Sequence, residues 1–272
     1  MRAFGIGALV SLMAALAVAP ATAKVYHSPK QKYSLKETKK YAVDGKRTGP
    51  NECRLPKVEL ALRPGQEAVE NRRVSIDTKT CRAVYEKGTP PDSELRKNEP
   101  KPEKFADKLL RGGVGAAQVG TLAVGHESGV MESWFTDPVG KVVTRDRAGS
   151  EFDFNGSCAR SRWNWVRRSQ FKPTGWYLAS ANWQSDMGTR SCRVTSSDYA
   201  RFGNFAFCTA AYLATRIIGD PRVSAYHNRT VFRAYGNGAM RGSTNGYTSG
   251  ALCKYLLSDN QRLHRFRPFY FR

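Results

Sequence analysis

The stretch Gly129-Val130-Met131-Glu132-Ser133-Trp134-Phe135-Thr136, followed by Asp137-Pro138-Val139-Gly140 and then by Lys141-Val142-Val143-Thr144, decides the fold class. Two runs rich in β-branched and aromatic residues flank four residues in which Pro and Gly stand where a tight turn needs them. Pro fixes φ at about −65° and Gly accepts positive φ, so the chain reverses and pairs with itself. The same grammar recurs downstream, where Val231–Tyr235 and Ala239–Thr248 meet at Gly236-Asn237-Gly238. Phe152 and Phe154 alternate with Glu151 and Asp153, and Trp163 and Trp165 flank Asn164. Upstream, Val58, Leu60 and Leu62 alternate with Lys57, Glu59 and Ala61, and Val74 with Ile76 marks another strand. The chain is therefore predicted to be mainly β. Its C-terminal part reads as an antiparallel sandwich or barrel, between which strand patterns do not choose, with tryptophans supplying much of the core. Only Ala251–Arg262, where Leu252, Tyr255, Leu256 and Leu263 recur near the helical period, reads as a terminal helix or helical turn.

Composition divides the remainder. Met1 and Arg2 give a positive start, Phe4 to Val18 is apolar, and Ala21-Thr22-Ala23 fits a small-x-small cleavage site, so residues 1–23 read as a signal peptide. Cleavage releases the mature chain outside the membrane; retention of the leader would anchor it. Residues 24–50 are Lys-rich and poor in large aliphatics, and are expected to form a basic flexible arm. A small disulfide-stapled β module is expected over 51–91. A Pro-rich, charged linker follows over 92–104, and the β-rich domain over 105–272.

Export gives the six cysteines their meaning, because disulfides persist in oxidising compartments. Cys53 and Cys81 bracket the two upstream strands and are expected to pair. Cys158, Cys192, Cys208 and Cys253 allow three pairings, which sequence does not decide; local pairing, Cys158–Cys192 and Cys208–Cys253, is the expectation because each closes a short β excursion. No two cysteines have the two-residue spacing of a zinc ribbon or a thiol oxidoreductase, so neither a metal nor a cofactor is predicted.

Lys and Arg number 44 against 23 Asp and Glu, a net charge of +21. The excess gathers at both ends and in the Cys158–Arg193 region. An exported chain of this charge is drawn to polyanions such as wall polymer or extracellular nucleic acid. The plainer reading of the same charge is a highly soluble surface. Within the basic region, Arg160, Arg162, Arg167, Arg168 and Lys172 interleave with Trp163, Trp165 and Trp176, a pattern suited to stacking on rings while guanidinium groups hold phosphate or carboxylate. Trp163 and Trp165 share a strand face, so the simplest packing buries both and leaves the arginines outside.

Catalytic signals are sparse. The sequence has no Gly-x-Ser-x-Gly elbow and no Walker loop, and His126-Glu127 opens a zinc-protease pattern that Val130 breaks. His126 and His227, both near strand ends, are the pair that a metal-free nuclease would use, one imidazole taking a proton and the other giving one. Glu151 and Asp153 share a strand face, as paired carboxylates of a glycosidase would, though a solvated strand edge looks the same.

The positions Gly65-Gln66, Ala68, Glu70, Ile76-Asp77, Thr80-Cys81 and Gly88-Thr89-Pro90-Pro91, with Trp134, Asp137-Pro138, Trp163-Asn164-Trp165, Gly175-Trp176, Asn182-Trp183, Phe207-Cys208, Gly236-Asn237-Gly238 and Cys253, resemble those of small exported proteins of filamentous actinobacteria. The resemblance covers most of residues 55–265 as spaced positions. It implies export, a disulfide-containing β-rich body and a Gram-positive setting, and it carries over no catalytic residue. The reading that results is a secreted, non-catalytic protein that binds an anionic extracellular polymer. The alternatives are a nuclease-like effector and a protein-binding module such as a protease inhibitor.

Overall fold

The computed structural model describes residues 24–28, 32–49, 52–97, 125–208, 222–250 and 252–266. The leader and most of the expected linker therefore lie outside the described residues. The fold is mainly β and every strand pairing is antiparallel. One sheet runs β10 (Ala159–Gln170), β9 (Val142–Phe154), β8 (Gly125–Thr136), β15 (Ser258–Phe266), β6 (Ala68–Asp77), β7 (Arg82–Thr89) and β2 (Lys36–Asp44), with β1 (Val25–His27) beside β6. A second sheet runs β11 (Tyr177–Asp186), β12 (Val194–Asn204), β13 (Val223–Ala234), β14 (Met240–Gly250) and β5 (Val58–Leu62). β3 (Lys46–Gly49) and β4 (Glu52–Arg54) form a separate pair.

The two large sheets face one another as a sandwich. Leu60, Leu62, Met131, Phe152, Phe232, Met240 and Leu263 interdigitate in one core cluster, and Phe135, Trp176, Phe202 and Leu257 in the next. Each such side chain removed from water contributes about 1.5–3 kcal/mol. Close approach sets residue size here: a Cβ on Gly242 would meet the Met131 sulfur, and one on Gly129 would meet Met240 and Phe232.

Both hairpins read from sequence are present. In the first, Asp137 Oδ1 accepts the N–H groups of Val139 (3.1 Å) and Lys141 (2.8 Å), and Gly140 takes φ 78°. In the second, Ala234 pairs with Met240 around Gly238 at φ 75°. The disulfides are Cys53–Cys81, Cys158–Cys192 and Cys208–Cys253, with Cα separations of 5.3, 4.3 and 5.6 Å. The local pairing is thus the one found.

Four expectations differ from what is found. The basic arm is structured over most of its described length: residues 25–27 form β1 against β6, 46–49 form β3 against β4, and 36–44 form β2 on the edge of the large sheet, where Tyr41 stacks on Tyr85 at 5.9 Å and Tyr41 and Val43 pack on a third cluster beside the first disulfide. An edge strand needs few apolar residues, so the Lys-rich composition masks it. Residues 51–91 do not stand apart; β5 joins the small sheet against β14, while β6 and β7 join the large one. The beginning of the expected linker, Asp92–Lys97, is a helical turn with Asp92 and Glu94 in its first turn.

The fourth is the C-terminal segment. Of the helix or helical turn expected over 251–262 only a 3₁₀ turn, Leu252–Leu256, is present, and the rest of the segment is β15, which lies between β8 and β6 and is almost wholly buried. Its sequence is polar because its outward face holds ion pairs. Arg262 meets Glu132 at 2.8 Å, Arg147 meets the same carboxylate at 2.9 Å, and His264 lies 3.5 Å from it. Next to them Arg72 pairs with Glu70 at 2.6 Å, and the Tyr33 hydroxyl donates to Glu70 at 2.7 Å. Burial alone would raise the Glu132 carboxyl, but Arg262 and Arg147, with His264, hold it well below the usual range.

Candidate polymer-binding face

The basic strip expected on β10 does not form one surface. Arg168 turns into the sandwich and holds Asp198 of β12 through two bonds, Nε–Oδ2 2.6 Å and Nη2–Oδ1 2.5 Å. Arg162 pairs with Asp153 at 2.8 Å. Arg160, Arg167 and Lys172 are exposed, Arg167 opposite Arg147 of β9 and Lys172 opening a 3₁₀ turn. Trp163 is 38% exposed, so it is not the core residue expected, and Trp165 is half-buried against Gly149. The reason lies in the register: both rings face away from the small sheet, with Trp163 opposite Glu151 and Trp165 opposite Gly149. Of the five tryptophans, Trp134 and Trp176 are buried and Trp183 is exposed.

The two histidines are not brought together. His126 lies on the outer face of the large sheet, its Nε2 2.9 Å from Glu151 and its Nδ1 2.9 Å from Asp153, so the carboxylate pair cradles an imidazole. Burial would raise Asp153, but Arg162 and His126 hold it low. His227 points the other way, into the interior, between the hydroxyls of Ser133 (2.9 Å) and Thr144 (3.0 Å) and edge-on to Phe135 and Phe202. Complete burial pushes its pKa down to about 3. A neutral, enclosed imidazole on the opposite side of a sheet from His126 cannot share a proton relay with it. The interior also holds Asp146, raised well above the usual carboxylate range by burial and by Asp198 beside it.

Basic and polar groups do converge on the outer face of the five-stranded sheet. Alternation along each strand sends Phe232, Ala234, Met240 and Leu60 inward, and sends their neighbours out. The cross-strand register then aligns the outward residues in rungs: Arg201, Tyr226 and Tyr247 in one, Asn182 and Tyr199 in the next, then Gln184, Ser197, Val231 and Ser243, then Asp186, Thr195, Arg233 and Arg241. Tyr226 and Tyr247 stack at 4.4 Å with 8° between their planes. Arg201 lies 5.4 Å from the Tyr226 ring and Arg54 4.9 Å from the Tyr247 ring, so both outer ring faces carry a cation.

Beside this stack lies a cleft of about 590 Å³. Its cations are Lys57, Arg229 and Arg233; its amides are Gln184, Asn228 and Asn245; its hydroxyls are Ser185, Thr195 and Ser197; and Asp186 is its carboxylate. Among the described residues no ring lines it. The register of β12 and β14 shifts on either side of β13 at this point, skipping a residue between Asn228 and Val231, and Arg229 in that bulge adopts φ 58°. Positive φ at a residue with a Cβ is uncommon, and bulges re-aim side chains. Here the bulge puts an exposed guanidinium at the cleft. Asp186 accepts from the Gly188 N–H and the Ser191 hydroxyl, both at 2.8 Å, and these bonds lower its pKa. It stays charged.

Sequence reading missed this face. Its signal is the outward set Tyr226, Asn228 on β13 and Arg241, Ser243, Asn245, Tyr247 on β14, alternating with small or apolar residues. No protein family, curated protein or solved structure matches the chain. Among the described residues no helix is long and apolar enough to cross a membrane.

Proposed function

We propose that the protein is a secreted, non-catalytic binder of an anionic extracellular polymer, and that the outer face of the five-stranded sheet is its contact surface. The observation that carries this is the cleft beside the tyrosine stack, where three cations, three amides and three hydroxyls share one concave surface with Asp186, Lys57 being paired outside it with Glu59 at 2.8 Å. Guanidinium groups take up anionic groups in pairs of bonds, and amides and hydroxyls fit the polar atoms between them. The net charge of +21 draws the polymer in from a distance. The three disulfides and the leader-like N-terminus support an extracellular setting.

The test is retention of the oxidised, leader-free protein on anionic and neutral polymer columns across a salt gradient, beside the double variant Arg229→Gln/Arg233→Gln. Retention on the anionic columns that fades with salt and drops in the variant supports the reading. Equal retention of both proteins would move the contact elsewhere, and binding indifferent to salt would end the polyanion reading.

A further inference from the structure

The chemistry of the cleft narrows the ligand class, on the footing of the polymer-binding reading above. We infer that this face recognises a polyanion by the hydroxyl-bearing backbone between its charges, a chain of sugar or polyol units carrying phosphate or carboxylate, and does not read nucleobases.

Base readers without sequence preference offer free aromatic faces on which successive bases stack. Here the cleft has no aromatic lining among the described residues, and the two rings beside it are stacked on one another and covered on their outer sides by Arg201 and Arg54. A base arriving at either ring would first have to displace a guanidinium. Arg201 also donates to the Ser224 hydroxyl at 3.4 Å and Arg54 bonds the Tyr247 side chain, which holds both guanidinium groups over the rings.

Asp186 supplies the second half of the argument. An ionised carboxylate only accepts hydrogen bonds. In a cleft that otherwise attracts anions, it repels a ligand made of phosphates alone and favours one that also brings O–H donors. The amides of Asn228 and Asn245 lie opposite one another across β13 and β14; Asn228 presents a donor and an acceptor, while the Oδ1 of Asn245 is enclosed and has no hydrogen-bond partner among the described residues, so it lacks the donor that a hydroxyl would bring. Charge selects a polyanion, and these three side chains select for hydroxyls along it.

The experiment measures affinity of the oxidised protein, at fixed salt, for four chains matched in charge: poly(glycerol phosphate), polygalacturonate, inorganic polyphosphate and poly(dT). The two hydroxylated chains are expected to bind at least tenfold tighter than polyphosphate or poly(dT), and the comparison between those two tells phosphate from carboxylate. Asn228→Ala/Asn245→Ala leaves the charge unchanged, so it should weaken the hydroxylated chains several-fold, leave polyphosphate unaffected and preserve the salt slope. Asp186→Asn should narrow the gap by strengthening polyphosphate. Binding of all four chains alike would overturn the inference while leaving the polymer-binding reading in place, as would equal loss for every chain in the amide variant. Quenching of tyrosine emission on tighter binding of poly(dT) would replace it with base stacking, and failure of all four to bind would remove both readings.

Discussion

Arg168 reaches from the edge strand β10 of the large sheet to Asp198 on β12 of the small one and grips both carboxylate oxygens, at 2.6 and 2.5 Å. The carboxylate is fully buried, whereas the guanidinium keeps about a quarter of its side chain in contact with solvent. The bond to Asp198 holds the Arg168 pKa up, against the lowering that burial alone would cause. Removing one partner of such a pair strands a charge in the interior, at a cost of about 3 kcal/mol or more. Arg168→Met is therefore expected to lower stability by roughly that amount in urea unfolding, with the folded fraction still retained on anionic polymer. An unchanged midpoint would mean that the two sheets do not depend on this tie.

The hairpins were legible because turn chemistry is local: Asp137 to Gly140 and Gly236 to Gly238 carry their geometry in four residues or fewer. β15 was not, since a strand buried on both faces normally reads as an apolar run. Here Arg262, His264 and Asn260 are buried by pairing with residues over a hundred positions away, such as Glu132 and Trp134. The cleft was illegible for a related reason. It draws on β11, β12, β13 and β14, and the register shifts flanking Asp198 and Asn228 change which residues face out, so alternation counted along one strand loses its phase. Arg168 shows the same limit, since the arginine pattern on β10 gave no sign that one member would turn inward.

His227 gives a pH signature. Its pKa is about 3 in the fold, against about 6.5 when exposed, so the unfolded chain binds the extra proton first. Stability from this group is complete above the unfolded value and drains away as pH falls from about 6.5 toward 3, amounting to a few kcal/mol by the end of that range. Urea titrations at pH 7 and pH 4 should show wild type losing more stability between the two than His227→Gln does. Parallel losses would mean that the imidazole is protonated in the fold.

Asp146 acts with the opposite sign. Burial first, and Asp198 second, raise its pKa well above the ordinary value, so the folded state favours the protonated carboxyl. Its contribution is complete below the unfolded pKa of about 3.9 and is lost as pH rises through the folded one. Asp146→Asn, which is neutral at every pH, should gain on wild type progressively as pH is raised. A stability difference that stays constant between pH 5 and 9 would show that Asp146 is ionised in the interior.

The disulfide between Cys158 and Cys192 spans 34 residues and ties the start of β10 to the segment after β11. Closing a loop of that length removes about 4 kcal/mol of unfolded-state freedom in the chain-entropy treatment. The double variant Cys158→Ser/Cys192→Ser should fall by several kcal/mol, about the full loop-closure figure or somewhat less, in denaturant titration under oxidising conditions. A loss below about 1 kcal/mol would mean that the sheets alone hold β10 and β11 in place.

Arg229 joins strain to binding. A residue with a Cβ at φ 58° pays about 1–2 kcal/mol over a relaxed backbone, and nothing in the core requires that side chain, which is exposed. Glycine adopts the same φ without the Cβ conflict, though it surrenders about 0.5–1 kcal/mol of chain entropy. Arg229→Gly is therefore expected to hold or raise stability by up to about 1 kcal/mol while weakening retention on anionic polymer and reducing the log–log salt slope by about one contact. The paired outcome is the informative one: gain in stability with loss of binding marks strain kept for recognition. A variant that loses stability with its salt slope intact would instead make the bulge a structural feature, with Arg229 outside the contact.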